Sequence, residues 1–151
     1  MVLKLFQIEE PDGTPNDPDM PGAAIGIDAS GRLAEVAFAV GGNAVILADR
    51  EGFERELPVP PLDAPTDAWQ ALFEGARLRA ERSLARPVTH AAVALADAAD
   101  GGMAMRLATA GMAAGVSLLR LVSRRDIAAG EGPAAAAAII AEDMAPTAEG
   151  F

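Results

Sequence analysis

Three short apolar segments joined by tight turns, followed by a regular alternation of helix and strand patterns, constrain this fold more than any other feature. The apolar segments are 24–29, 33–40 and 44–48, and the turns between them are Ser-Gly-Arg at 30–32 and Gly-Gly-Asn at 41–43. Turns this short join antiparallel neighbours, and paired glycines supply the positive φ that a two-residue hairpin loop needs. The first three strands are therefore predicted to form an antiparallel meander.

The second half of the chain alternates between helix and strand patterns. Apolar side chains recur at helical spacing over 67–85: Trp69, Leu72, Phe73, Ala76, Ala80 and Leu84. Thr66 or Asp67 is the predicted cap of this helix, and Asp67 with Gln70 has the spacing of a capping box. Strands are predicted at 88–95 and 117–122, helices at 101–114 and 133–143, and a possible extension of the sheet edge at 54–59.

Strands that follow helical crossovers lie parallel to one another, because only such a connection returns the chain to the same end of the sheet. The order of elements predicts an α/β fold of the ribonuclease-H-like class. It has a five-stranded mixed sheet, in which an antiparallel meander of three strands is followed by parallel strands, and about three helices. Alanine dominates the second half of the sequence, which predicts thin helices packed close to the sheet.

A chain of 151 residues has the length of one domain. Residues 1–22 are predicted to form an N-terminal arm and an extended or flexible linker, 23–143 the domain, and 144–151 a tail. Residues 2–8 alternate as a short strand, whereas 9–22 hold four prolines and five acidic residues. The strand pairs either with a sheet edge of another protein or with its own sheet, and both remain open. Leu3, Leu5 and Phe6 are its candidate partner-binding residues.

Charge and composition exclude several functions. The net charge of −10 disfavours nucleic acids and anionic membranes, which are themselves polyanions. The absence of cysteine excludes disulfides, thiolate catalysis and cysteine-based metal sites. No apolar run reaches the roughly 18 residues of a membrane span, and the N-terminus lacks the pattern of a signal peptide. We therefore expect a soluble cytoplasmic protein with a protein partner, in a homo- or hetero-oligomer.

Several short segments resemble one known family in their order and spacing. They are Ile-Gly-Ile-Asp at 25–28, Val-Ile-Leu-Ala-Asp-Arg-Glu-Gly at 45–52, Pro-Val-Thr-His-Ala-Ala-Val at 87–93, Ala-Gly-Met-Ala-Ala-Gly at 110–115 and Leu-Arg-Leu-Val-Ser at 119–123. Together they resemble the first lobe of the nucleotide-binding domain of the seventy-kilodalton heat-shock chaperones, which has the actin-like, ribonuclease-H-like fold. The resemblance covers 24–129 and is free of gaps from 88 to 129. This chain is shorter before Thr66, and the second lobe is expected to be missing.

The resemblance implies a fold that has lost its ATP chemistry. Asp28 and Ser30 occupy the place of the family's first phosphate loop, but the paired hydroxyl residues of that loop are absent. Arg124 and Arg125 stand where the family has Glu-Pro, so a cation replaces a carboxylate. The resemblance therefore predicts a non-catalytic accessory, assembly or scaffold subunit without a cofactor, in which Asp28 and Ser30 are vestigial. The alternative is a residual ATP-binding protein or ATPase of the same class.

Two further interpretations concern carboxylates and the single histidine. Asp28, Asp97 and Asp126 follow or end predicted strands, as in two-metal nucleases of ribonuclease-H-like fold, although Asp28 as a structural turn residue is favoured. His90 is predicted to have a surface or strand-edge role, since one histidine without cysteine forms neither a catalytic triad nor a zinc cluster. No catalytic or metal-binding residue is predicted.

Methionines and arginines are the remaining candidates for contact surfaces. Met103, Met105 and Met112 lie on the second predicted helix, where filling of the core is favoured over a binding surface. A basic cluster in an otherwise acidic chain can hold a carboxylate or an acidic partner surface. Its members are Arg120, Arg124 and Arg125, which are therefore candidate partner-binding residues, although a solvated loop is an equal alternative.

Overall fold

Strands and helices follow one another in the predicted order in the computed structural model, which describes residues 22–49 and 51–146. They are β1 (Ala23–Ala29), β2 (Glu35–Val40), β3 (Asn43–Ile46), α1 (Thr66–Leu84), β4 (Val88–Leu95), α2 (Gly101–Ala113), β5 (Ser117–Ser123) and α3 (Pro133–Met144). A 3₁₀ turn, Arg124–Asp126, follows β5. The predicted strand at 2–8 and most of the predicted tail lie outside the described residues.

The five strands form one sheet in the order β3-β2-β1-β4-β5. β1, β2 and β3 pair antiparallel, whereas β4 lies parallel to β1 and β5 lies parallel to β4. This arrangement confirms the predicted α/β fold with a mixed sheet, an antiparallel meander and helical crossovers. The carboxyl ends of β1, β4 and β5 therefore meet at one edge of the sheet.

One face of the sheet is covered by α1 and α2. The predicted apolar face of α1 is confirmed, because Trp69, Leu72 and Phe73 are buried together with the alanines of the same stripe. The Trp69 indole N–H donates to the carbonyl oxygen of Pro61 at 3.1 Å, so this large side chain is buried without an unpaired polar atom. Ile25 and Ile27 of β1 belong to the same buried cluster.

Among the described elements, α3 is the helix that covers the opposite face, and there the side chains are small. Ala24 of β1 and its neighbours on β2 and β4 pack against the alanines of α3. At Gly26 the helix backbone touches the strand. A Cβ atom on Gly26 would lie 2.6 Å from the carbonyl carbon of Ala137 and closer still to the nitrogen of Ala138. The expectation of thin helices packed close to the sheet is confirmed.

The β2–β3 hairpin is fixed at both ends by carboxylates. The turn is made by Gly41 and Gly42 with φ of 61° and 84°, and both amides donate to the Glu142 side chain on α3, at 2.5 and 3.0 Å. After β3, the nearly buried Asp49 accepts two hydrogen bonds from the Arg82 guanidinium on α1, at 2.8 and 2.9 Å. Bidentate pairs of this kind combine strength with directional specificity.

Two local predictions are wrong. Residues 54–59 do not extend the sheet edge: Ala34 N–H donates to Leu57 at 2.8 Å and Val59 N–H donates to Arg32 at 2.9 Å, which gives only an isolated bridge before β2. The side chains of Leu57 and Val59 are half-buried and pack against the core. The predicted cap of α1 also fails, because the helix begins after Pro65 without a side-chain cap. Proline has already fixed the φ of the residue before the first turn.

We expect Gly26→Ala to destabilise the fold by about 3 kcal/mol, because the added methyl group meets helix backbone rather than a movable side chain. Gly31→Ala is the matched control. A Cβ at Gly31 meets nothing within 4 Å, so its effect should stay within about 0.5 kcal/mol. Urea unfolding at equilibrium measures both variants. Equal stability of the two would show that α3 does not approach β1 as described.

Candidate functional site

The carboxyl edge of β1, β4 and β5 is the place where open α/β sheets bind ligands. Asp28 lies one residue before the end of β1, in register with Ala94 of β4 and Glu35 of β2. Asp97 follows the end of β4, and Asp126 lies in the 3₁₀ turn after β5. The topology therefore brings the three predicted carboxylates to the same edge of the sheet.

The Asp28 carboxylate is used by its own turn. One oxygen accepts hydrogen bonds from the Ser30 amide at 2.9 Å and from the Ser30 hydroxyl at 2.5 Å. This arrangement is an Asx turn, which closes the chain reversal after the strand. The two residues predicted as vestigial ligands of a cofactor thus satisfy each other, and the favoured structural role of Asp28 accounts for its position.

Asp97 is paired with one of the predicted arginines. The Arg125 guanidinium lies 3.3 Å from the Asp97 carboxylate, and both side chains are well exposed. Among the residues that the structure describes, no group of three or more acidic or histidine side chains could hold a metal ion. The two-metal nuclease interpretation of Asp28, Asp97 and Asp126 therefore fails on geometry. A cation already occupies the neighbourhood of the second carboxylate.

The arginines of the predicted basic cluster are separated along β5. Arg124 and Arg125 are exposed in the 3₁₀ turn, where the Ser123 hydroxyl accepts from the Arg125 amide at 3.2 Å. Arg120 lies within β5, at an irregularity where Ala91 and Ala92 of β4 face Leu118 and Arg120. Leu119 is thus the extra residue of a β-bulge at the edge of the sheet.

A pocket of about 390 Å³ lies between the start of β2, the segment before α1 and α1 itself. Its charged lining includes Glu35, Glu54, Glu56, Asp49, Arg55 and Arg79. Asp49 is held by Arg82, and the Arg79 guanidinium lies 3.8 Å from the same carboxylate. Mixed charges that pair across the pocket do not define a ligand, and we assign none.

Several large apolar side chains are exposed at positions for which the sequence did not predict a binding surface. Met105 and Met112 are 72% and 66% exposed on the outer side of α2, so the favoured prediction of a core role is wrong for both. Met103 does pack on the core. At the other end of the sheet, the hairpin exposes what we call the hairpin surface: Val40 at 65%, Val45 at 59% and Ile46 at 52%.

Sequence signals for these surfaces are weak for a geometrical reason. Val45 and Ile46 follow each other in a strand pattern, which predicts the strand correctly but does not reveal that it lies at the edge. Met105 and Met112 are seven residues apart, a spacing that places them on one helix face whether that face is buried or exposed.

His90 lies near the start of β4, an inner strand, and is half-buried. The predicted strand-edge role is therefore wrong, because β4 lies between β1 and β5 rather than at the edge of the sheet. Its Nδ1 atom lies 2.7 Å from the Thr89 hydroxyl, and burial lowers the pKa of the imidazole from its ordinary value. Burial thus favours the neutral form of this ring.

Comparisons with known proteins do not supply an identity. No protein-family model matches the chain, and no curated protein is significantly similar to it. Within 22–49 and 51–146, the helices are too short or too polar to cross a membrane. The likeness to the heat-shock chaperone lobe therefore stays a prediction from sequence, and the geometry of the described residues carries the functional argument.

The Asx turn gives a test of the role of Asp28. Asp28→Ala removes the acceptor for the Ser30 amide, and we expect a loss of about 1 kcal/mol, as for a lost helix cap. Asp28→Asn keeps an acceptor oxygen and should cost less than half of that. Urea unfolding measures both changes. A gain in stability on either replacement would instead indicate a strained functional carboxylate.

Burial of His90 predicts a dependence of stability on pH. Because the pKa of His90 is lowered in the folded state, its stabilising contribution is fully present above the unfolded value of 6.5 and is lost as pH falls through the folded pKa. We expect His90→Asn to lose less stability than the wild type between pH 7.5 and 5. Carboxylates titrate alike in both chains, so identical pH profiles would show that the imidazole does not titrate differently on folding.

Proposed function

We propose that this chain is a non-catalytic subunit that binds another protein, as an accessory, assembly or scaffold component built on a lobe like that of the chaperone ATPases. The observation that carries the proposal is the state of the ligand-binding edge of the sheet. Two of its three predicted carboxylates are engaged within the fold: Asp28 closes a turn with Ser30, and Asp97 pairs with Arg125.

The distribution of apolar surface supports a protein partner. Monomeric proteins scatter single apolar residues over their surface, whereas grouped ones mark contacts. Among the described residues, the five most exposed large apolar side chains lie at the hairpin surface and on the outer side of α2, where Met105 and Met112 lie. Methionine adapts its shape to a partner more readily than branched side chains do, which suits a contact surface.

Charge and composition narrow the class of partner and the compartment. A net charge of −10 favours a basic or neutral protein surface over a polyanion. Arg120, Arg124 and Arg125 provide the local exception, where an acidic side chain of a partner could bind. A chain without cysteine has no need of an oxidising compartment, and we place the subunit in the cytoplasm.

The alternative function, residual ATP binding, would require the Asp28–Ser30 turn to rearrange. Oδ1 of Asp28 and the amide and hydroxyl of Ser30 would have to release one another before Oδ1 could bind a metal ion or Ser30 could donate to a phosphate. That release costs two hydrogen bonds, one of them between side chains. Each such bond contributes about 1 kcal/mol net, so the closed turn weakens any nucleotide site built on it.

Calorimetric titration with Mg²⁺ and ATP separates these two functions. We expect no heat of binding at millimolar nucleotide, because Oδ1 of Asp28 already accepts from Ser30 and the Asp97 carboxylate is paired with Arg125. Asp28→Asn serves as the control for specificity. Heat that appears with the wild type and disappears with Asp28→Asn would establish the ATP-binding alternative.

Co-purification of the tagged full chain from its native source tests the protein-binding proposal. We expect a stoichiometric partner, or a second copy, to persist through gel filtration. Met105→Lys/Met112→Lys or Val45→Lys/Ile46→Lys should reduce its recovery at least tenfold. Ala71→Lys/Glu74→Gln is the matched control, since it makes the same change in net charge at exposed positions of α1. Recovery of isolated monomer alone would contradict the proposal.

A further inference from the structure

The two edge strands of the sheet, β5 and β3, differ in how well they are protected against pairing with another strand. At β5, the bulge around Leu119 interrupts the regular ladder and presents Arg120 to solvent. Bulges and charged side chains are the usual means of preventing a strand from pairing with another chain. β3 at the other edge has the sequence Asn-Ala-Val-Ile, without a charge, a proline or a bulge. β3 is therefore the edge that lacks protection within the described sheet.

The register of the hairpin shows which polar groups face outward from β3. Leu47 N–H donates to the carbonyl oxygen of Val36 at 2.8 Å. Hydrogen-bonded and non-hydrogen-bonded pairs alternate along an antiparallel ladder, so Val45 bonds to β2 whereas Ala44 and Ile46 belong to non-hydrogen-bonded pairs. The N–H and C=O groups of Ala44 and Ile46 thus point away from β2, towards the free edge.

This edge is held in a fixed shape. Glu142 binds the turn before β3, and the Arg82–Asp49 pair binds the segment after it. A strand that is fixed at both ends loses little conformational freedom when another strand pairs with it. The exposed Val45 and Ile46 side chains lie on opposite faces of the same edge, so an added strand would gain apolar contacts on both of its sides.

We propose that residues 2–8 of the same chain pair with the free edge of β3 as a sixth strand. The sequence of this segment, Val-Leu-Lys-Leu-Phe-Gln-Ile, is a short apolar run with one polar residue on each face of a strand. Its two faces are both largely apolar, with Leu3 and Leu5 on one and Phe6 and Ile8 on the other. Either orientation therefore places apolar side chains beside both Val45 and Ile46.

The position of Gly22 lets the segment reach this edge. Continuing the register in which Gly26 faces Ala37 places Gly22 opposite Gly41, at the same end of the sheet as the β2–β3 turn. The free side of β3 is three strand spacings away from β1, about 14 Å. Residues 9–21 can span up to about 43 Å. Attachment through a short connection also raises the effective concentration of the strand at its own edge.

Opposite charges on residues 9–21 and on Arg86 also favour a connection that runs from Gly22 towards β3. The connection from residue 9 to 21 holds five acidic residues and no basic one. Ala23 N–H donates to the carbonyl oxygen of Pro87 at 2.8 Å, so the chain enters the sheet next to Arg86. The exposed Arg86 guanidinium lies 6.0 Å from the ring centre of Phe38 on β2, and no carboxylate of the described residues pairs with it. An acidic connection that crosses towards β3 passes this free cation.

The proposed pairing would limit which partners can bind at the hairpin, and it rests on the proposed function only in that respect. With residues 2–8 in place, the hairpin edge is closed to strands of other chains. A partner that binds by strand addition must replace this segment, whereas a partner that binds at α2 need not. The pairing itself can be true or false independently of whether a partner is found.

Amide hydrogen exchange of the full-length, ¹⁵N-labelled chain tests the pairing. We expect the Ala44 and Ile46 amides to exchange at least tenfold more slowly in the wild type than in Leu5→Pro, which removes a strand N–H and restricts φ. Asp12→Pro, in the connection, is the matched control and should keep the wild-type protection. The Leu47 amide, which bonds to Val36, should stay protected in every variant and reports that the domain has folded.

Each other outcome overturns the proposal. Ala44 and Ile46 amides that exchange equally fast in the wild type and in Leu5→Pro show an unoccupied edge. Protection that appears only where native mass measurements find a dimer shows that a second copy, rather than the same chain, supplies the strand. Protection lost in Leu5→Pro along β5 instead of β3 places the segment at the other edge. A dimer found in this way would overturn the pairing and yet agree with the proposed function, which counts a second copy as a partner, so the two proposals can fail separately.

Discussion

The contact between α3 and β1 at Gly26 determines the geometry of one whole face of the sheet. Because the helix backbone lies against the strand backbone there, the surrounding residues have to be small. They are alanines: Ala24, Ala92 and Ala137. A close approach of this kind replaces the bulky side chains of an ordinary core with many short contacts between backbones. It also brings the end of α3 near the β2–β3 turn, where Glu142 binds both glycine amides.

Local patterns predicted most of the elements, because each pattern depends on neighbours in sequence. The helical stripe through Trp69 and Phe73 and the glycine pair at the hairpin turn are patterns of this kind. Predictions failed where the outcome depends on distant parts of the chain. Leu57 belongs to a segment with a strand-like composition, yet it turns inward to the core beside α1. Met105 lies on a helix face that no other described element covers, and periodicity alone cannot distinguish such a face from a buried one.

The candidate site illustrates the same limit on a smaller scale. The sequence identified Asp28 and Ser30 as neighbours of a possible phosphate site, and it identified Asp97 and Arg125 separately. Only the three-dimensional arrangement shows that these four side chains satisfy one another in two pairs. At the carboxyl ends of the strands, Asp28 and Asp97 thus make contacts within the fold. Among the described residues, exposed apolar side chains remain at the hairpin surface and on the outer side of α2.

The packing of α3 on one face of the sheet has a consequence for how the protein is made. α3 follows all five described strands in the chain, and its contact at Gly26 joins residues that are more than a hundred positions apart. Until the segment from Pro133 onward has been synthesised, the alanines of β1, β2 and β4 lack their contacts with α3. These contacts can therefore form only after all five strands have been made, and a nascent chain that has not yet formed them is more prone to misassembly.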